Sequence, residues 1–157
     1  IASEKVIEDG DLVVMDFGCF YQGYASDMTR TAGVGNVSQK ARAVYQVVLE
    51  AQLRALEGIK AGLKGKEIHF IAEKVIDEAG YGAYFGHGLG HSVGLEIHES
   101  PNFNPIENRV LEAGMCITVE PGIYLPREFG IRIEDLIVIE ENGYKNLTKS
   151  PKELLIF

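Results

Sequence analysis

Two stretches in the middle of the chain restrict its fold more than any other feature. Over residues 39–57, Val44, Val47, Val48, Ala51, Ala55 and Leu56 recur at the spacing of one helix face. Ser38 precedes them as an N-cap, and Gly58 and Gly62 close the run. Residues 65–79 repeat the pattern with Ile68, Ile71, Ala72, Val75, Ile76 and Ala79, ended by Gly80. Each helix has an apolar face that needs a partner surface. The flanks supply it as strands. Asp9-Gly10-Asp11 signals a turn, and 12–20 and 23–31 read as two strands joined at Tyr21-Gln22. Further strand candidates lie at 94–99, 114–120 and 130–140, with a short return at 143–148. The pattern predicts one α+β unit, with strands at both ends and two helices between them. A chain of 157 residues has room for one domain with a sizeable core.

Composition excludes some functions. No apolar run is long enough to cross a membrane as a helix, and no secretory leader pattern is visible. A net charge of −8 argues against nucleic acid, which calls for a basic patch. Two cysteines, Cys19 and Cys116, make no disulfide framework, so a cytoplasmic compartment is the expectation. The acidity means either plain solubility or carboxylates gathered for a cation.

Asp16 and Asp27 are the informative acidic pair in the first half. With Tyr21 and Gln22 at the turn, Asp16 lies directly opposite Asp27. Like charges there are destabilising, and the neighbours Val13, Val14 and Met15 are apolar. Such a pair calls for a proton on one carboxyl or a bound divalent cation. The plain alternative is that one aspartate caps a turn and a bulge at Gly23 slips the register.

The second half concentrates imidazoles. The stretch GHGLGHSVGLEIHE (86–99) holds His87, His91 and His98 among Gly86, Gly88, Gly90 and Gly94. The glycines disfavour a helix and permit tight turns or close approach of a ligand. The histidines are therefore expected at loop and strand ends around a cleft, although each alone could be an ordinary hydrogen-bonded histidine. Glu120 ends an apolar strand before Pro121-Gly122, and Arg132 and Glu134 lie two apart. On one strand they would share a face and could be a simple ion pair; Glu120 could be a strand-end carboxylate in solvent. Taken together, oxygen and nitrogen donors without a cysteine suit Mn, Co, Zn or Fe. Four carboxylates and an imidazole fit two bridged cations better than one.

The elements MDFG, GYASDMTRT, HGLGHSVGLEIHE, TVEPGIY and GIRIED resemble, in order and spacing, the methionine-aminopeptidase-like metallopeptidases. Within them the chain is similar to the proline-specific branch, Xaa-Pro aminopeptidase and Xaa-Pro dipeptidase (prolidase). GIRIED and the extra His87 favour that branch. The resemblance implies a pita-bread fold, an α+β domain with a pseudo-twofold axis, holding two divalent metal ions, usually Mn or Co, sometimes Zn or Fe. It implies metal ligation by Asp16, Asp27, His91, Glu120 and Glu134, with Asp27 and Glu134 bridging. Glu120 would double as general base, and His98 would stabilise the tetrahedral intermediate. His87 would line the substrate pocket. Arg132, beside the bridging glutamate, is counted with it on the substrate side. The substrate implied is a proline-containing peptide; the family is often dimeric, which leaves the oligomeric state open between a monomer and a homodimer. All five ligand positions are intact, unlike those of metal-free relatives. The chain opens Ile1-Ala2-Ser3 without Met, after the point where the family's catalytic domain begins. The expectation is an N-terminally truncated catalytic domain spanning 1–157. Its rival is an inactive module that only binds metal or a protein partner.

Overall fold

The computed structural model describes residues 4–157; the opening Ile1-Ala2-Ser3 lies outside the described residues. Ser38 caps the first helix as expected: its side chain accepts from the Ala41 N–H, and α1 runs Gln39–Gly58. The second helix, α2, covers Gly65–Glu78, where the Glu67 carboxylate accepts from the Lys64 N–H at 2.7 Å. Their apolar faces meet each other and the strands. Val44, Val48, Ala51, Ala55 and Leu56 of α1 join Ile68, Ala72 and Ile76 of α2 in one buried cluster.

In chain order the strands are β1 Leu12–Phe17, β2 Phe20–Tyr21, β3 Tyr24–Ala25, β4 Met28–Gly33, β5 Gly90–Ser92, β6 Glu99–Phe103, β7 Cys116–Val119, β8 Gly122–Leu125, β9 Phe129–Arg132, β10 Asp135–Glu140 and β11 Gly143–Asn146. A five-stranded antiparallel sheet runs β11-β10-β7-β5-β6. β1 pairs with β4, β2 with β3, and β8 with β9. Ile117, Val119, Ile137 and Ile139 of the large sheet, with Ile123 and Ile131 of the β8–β9 pair, complete the core against the helices.

The first hairpin departs from expectation. Its turn is Gln22-Gly23, not Tyr21-Gln22, and both turn residues have positive φ, 50° and 87°. A two-residue loop that follows the strand twist demands that conformation, and glycine adopts it freely. The pairing is therefore displaced by two residues: Asp16 faces Thr29. A shift of two preserves the face, so Asp27, just before β4, stays on the side of Asp16. The ladder also breaks near Gly18, where an added Cβ would lie 1.9 Å from the Ser26 carbonyl oxygen.

Two strand expectations change as well. Residues 94–98 form a bend, with strands on either side. Gly94 N–H bonds to the Glu96 carbonyl, and the Glu99 carboxylate accepts from the Glu96 N–H at 2.9 Å; this local turn outcompetes an extended ladder. The 130–140 run is two strands, β9 and β10, interrupted at Ile133-Glu134, whose N–H groups bond to Pro121 and Thr29 carbonyls. Arg132 and Glu134 thus do not share a strand face. β8, beyond Pro121, was not anticipated.

Two of the glycines of 86–99, Gly88 and Gly90, admit neighbouring backbone, whereas Gly94 makes room for the Glu99 carboxylate and Gly86 faces open space. A Cβ at Gly90 would fall 2.0 Å from the Thr118 carbonyl oxygen of β7, and at Gly88 2.9 Å from that of Phe103. None of the four has a positive φ. Gly90→Ala should force β5 away from β7 and destabilise the protein by about 1–3 kcal/mol. A thermal melt checks this; an unchanged Tm would show that the strands separate without cost.

Candidate metal centre

Five elements deliver acidic and imidazole side chains to one cleft. Asp16 comes from β1, Asp27 from the entry to β4, His91 from β5, Glu120 from the exit of β7 and Glu134 from the β9–β10 break. All five line a cavity of about 820 Å³, together with His87, His98, Arg132 and Tyr124. Every residue singled out from the sequence therefore reaches the same cleft, and their arrangement is unequal. Asp27, His91 and Glu134 form the tight group, with one donor atom from each lying within 4.8 Å of the others. Glu120 joins through His91, whose Nε2 is 3.2 Å from Glu120 Oε1 and 3.5 Å from Asp27 Oδ2. Asp16 stands apart from the three, its carboxylate half exposed and paired with Arg132 Nη2.

The histidine tautomers follow from their partners. His91 Nδ1 faces the Ser92 carbonyl at 3.2 Å; a carbonyl only accepts, so Nδ1 carries hydrogen and Nε2 is left to the carboxylates. His87 Nδ1 likewise donates to the Gly88 carbonyl at 2.7 Å. Its Nε2 then accepts from the Tyr124 hydroxyl at 3.2 Å, while that hydroxyl accepts from Arg132 Nη1 at 3.0 Å. His98 lies at the rim, its ring centroid 4.2 Å from that of His91.

Two threonines hold the carboxylates in place. Thr29 Oγ1 donates to Glu134 Oε2 at 2.6 Å and accepts from Arg132 Nε at 3.0 Å. Thr118 Oγ1 donates to Glu120 Oε1 at 2.9 Å and accepts from the His91 N–H at 3.0 Å. Sequence reasoning missed Thr29, Thr118 and Tyr124. A signal existed for the threonines: each sits two residues from an acidic site residue, Asp27 or Glu120, the spacing that puts extended side chains on one face. Tyr124 had no such signal, because its strand was not foreseen.

Charge balance supplies the test of fit for a cation. Glu134 is 1% exposed, and its Oε1 has no hydrogen-bond partner among the described residues. A buried ionised oxygen without a partner is costly. Burial first, then the Glu120, Asp27 and Asp16 charges, push the Glu134 pKa up to about 8. Burial and Asp16 raise Asp27 despite His91. Burial alone would lower His91, but the Glu120 hydrogen bond and charge, the Ser92 carbonyl and Asp27 together raise it. Each of these shifts favours the protonated form, which trims the excess negative charge. The orphaned Glu134 oxygen, His91 Nε2 and the Asp27 and Glu120 carboxylates that face it form a hard donor set that fits divalent cations.

The family profile described as metallopeptidase family M24 matches residues 1–141, and the chain belongs to that family. It is 55% identical over 155 residues to an Xaa-Pro dipeptidase of Pyrococcus furiosus, an alignment covering 99% of this chain and 44% of that protein. Among solved structures it superposes on an Xaa-Pro dipeptidase from Bacillus anthracis with a TM-score of 0.98 at 55% identity, covering 100% of this chain and 44% of that one. An X-Pro aminopeptidase from Thermotoga maritima MSB8 gives 0.97 at 46% identity, covering 99% and 44%. The chain thus spans less than half the length of these relatives. The fold is the α+β pita-bread fold expected from the motifs. No helix among the described residues is long and apolar enough to cross a membrane.

Glu134, Asp27 and His91 all hold protons more tightly folded than unfolded. In the metal-free protein their contribution to stability is therefore present at low pH and lost as pH rises, for Glu134 between its ordinary 4.5 and about 8. Thermal melts of metal-free protein should show Tm falling across that window, and Glu134→Gln should flatten the fall. An identical slope in the variant would count against a buried, proton-holding Glu134.

Proposed function

We propose that this chain carries the catalytic machinery of a metallo-exopeptidase that hydrolyses the peptide bond between an N-terminal residue and proline, as an Xaa-Pro dipeptidase or aminopeptidase. The observation that carries the reading is the convergence of Asp27, His91 and Glu134 on one point beside Glu120, in a chain of family M24. Asp27, His91 and Glu134 would hold one divalent cation. Glu120, which faces the same His91 nitrogen, would join them, and Asp16 would complete the set for a second cation shared with Asp27 and Glu134. Manganese or cobalt is the proposed metal, with zinc or iron as substitutes of the same donor preference. When bound, two such cations offset the carboxylate charge, acidify water and polarise a carbonyl.

The chain's own residues then divide the work. Glu120 lies where it can take a proton from an attacking water, and Thr118 fixes its orientation. As water oxygen bonds to the scissile carbonyl carbon, His98 at the rim donates to the developing oxyanion. The carbon–nitrogen bond breaks, and Glu120 passes its proton to the departing proline nitrogen. His87, locked by the Gly88 carbonyl and Tyr124, lines the substrate side. Arg132 ties Asp16, Tyr124 and Thr29 into one wall. The reading carries with it a cytoplasmic setting, consistent with the free thiols of Cys19 and Cys116. The assembly proposed is a homodimer.

Metal analysis and assays on Xaa-Pro dipeptides and on longer Xaa-Pro peptides test this proposal together. Asp27→Ala or Glu134→Ala should lower the bound metal and abolish cleavage. Glu120→Gln should lower kcat by about 10²–10⁴-fold. Full activity with unchanged metal in the alanine variants would refute the scheme. Metal binding without any Xaa-Pro cleavage by the unsubstituted protein would instead establish the rival, a binding-only module.

A further inference from the structure

The fourth histidine, His69, plays no part in the metal centre, yet it is 1% exposed and packed beneath the loop that carries His87. It lies on α2. Its ring stacks on Phe85, with centroids 5.5 Å apart and planes 16° from parallel. Phe85 in turn meets the His87 ring edge-on at 5.2 Å. On the other side of the loop, His69 Nδ1 accepts from the Leu89 N–H at 3.3 Å, a hydrogen shared with the Phe103 carbonyl. The Leu89 carbonyl accepts from the N–H of Glu120 at 2.8 Å. One side chain therefore touches both shoulders, Phe85 and Leu89, of the turn that presents His87.

Packing alone does not explain an imidazole here. A leucine or phenylalanine would fill an apolar slot under α2 without burying nitrogen. His69 Nε2 has no hydrogen-bond partner among the described residues; Glu73 Oε1 is 3.5 Å away. With Nδ1 accepting, the hydrogen belongs on Nε2, directed at Glu73. Burial lowers the His69 pKa, against the pull of Glu73, which keeps the ring neutral and its Nδ1 lone pair free for Leu89.

We infer that His69 is a positioning residue: it holds the 85–89 loop by stacking on Phe85 and accepting from Leu89, and so sets where His87 meets substrate. This rests on the Xaa-Pro peptidase reading for the role of His87, but the loop geometry does not. Stacked and edge-on ring pairs contribute modestly and directionally, so their loss should loosen the loop without unfolding the core.

Two variants separate the contacts, His69→Phe keeping a ring against Phe85 and His69→Asn keeping an acceptor near the Nδ1 position. Amide hydrogen exchange is read on metal-loaded protein at 85–89, with 116–119 of β7 as an internal reference for global opening. His69→Asn should speed exchange at 85–88 relative to β7, and His69→Phe should speed it at Leu89. For cleavage of an Xaa-Pro dipeptide, His69→Asn should raise KM by about 3–10-fold with kcat held within about twofold. His69→Phe, retaining the stack, should leave KM near that of the unsubstituted protein. Exchange unchanged in both variants, or rising equally at 85–89 and 116–119, would overturn the inference and leave His69 as core packing. If the unsubstituted protein cleaves no Xaa-Pro bond, the peptidase reading falls while the exchange result still decides whether His69 holds the loop.

Discussion

Excess negative charge in a half-enclosed cleft is the constraint on which the rest of the structure depends. Glu134 is buried with one oxygen satisfied by Thr29 and the other without a partner among the described residues. Asp27 and Glu120 crowd the same imidazole. In water such groups would separate; here strands from both halves of the chain force them together. Nothing about the core demands this, and apolar residues of similar size would fold more cheaply. An arrangement that is costly without a cation and relieved by one fits the metal chemistry of family M24.

The scaffold meets the cost by fixing these side chains through their backbones. Arg30 is buried and spends its donors on the Thr29 and Glu134 carbonyls, on Asp135 and on the carbonyls of Ser150 and Pro151. Asp135 is fully buried and answered by Arg30 at 2.8 Å, by Lys152 at 2.5 Å and by Asn146 at 2.6 Å. This network adjoins the centre without entering it. It ties β4, which follows Asp27, to the β9–β10 break and to the C-terminal segment, so Asp27 and Glu134, distant in sequence, keep one geometry. A buried polar network with every member answered supplies this kind of specificity.

Much of this was legible beforehand. The helices could be read because a face repeating every three to four residues, a capping Ser38 and terminating glycines are local signals. The residues that meet in the cleft could be picked out because unusual residues in unusual places, aspartates in apolar strands and histidines among glycines, have few uses. The hairpin register was misread by two because turn type depends on backbone signs, which Gln22 does not advertise. The 94–98 bend was misread because the Glu99 carboxylate competes with the ladder from a few residues away. The break between Arg132 and Glu134 was invisible because Thr29 and Pro121, remote in sequence, supply the carbonyls that cause it.

The amino-acid sequence by itself determined the class of architecture, the residue types available for chemistry and the family whose motifs they match. Those are matters of periodicity, composition and spacing, carried by the chain before it folds. Only the tertiary structure decided that Asp27, His91 and Glu134 meet at one point while Asp16 turns to Arg132. It also decided that Thr29 and Thr118 orient the carboxylates, and that His69 lies beneath the His87 loop. The reason is physical: local signals set the conformation of neighbours. The distance between side chains from β1, β4, β5, β7 and the β9–β10 break is fixed by how strands and helices pack around the common core.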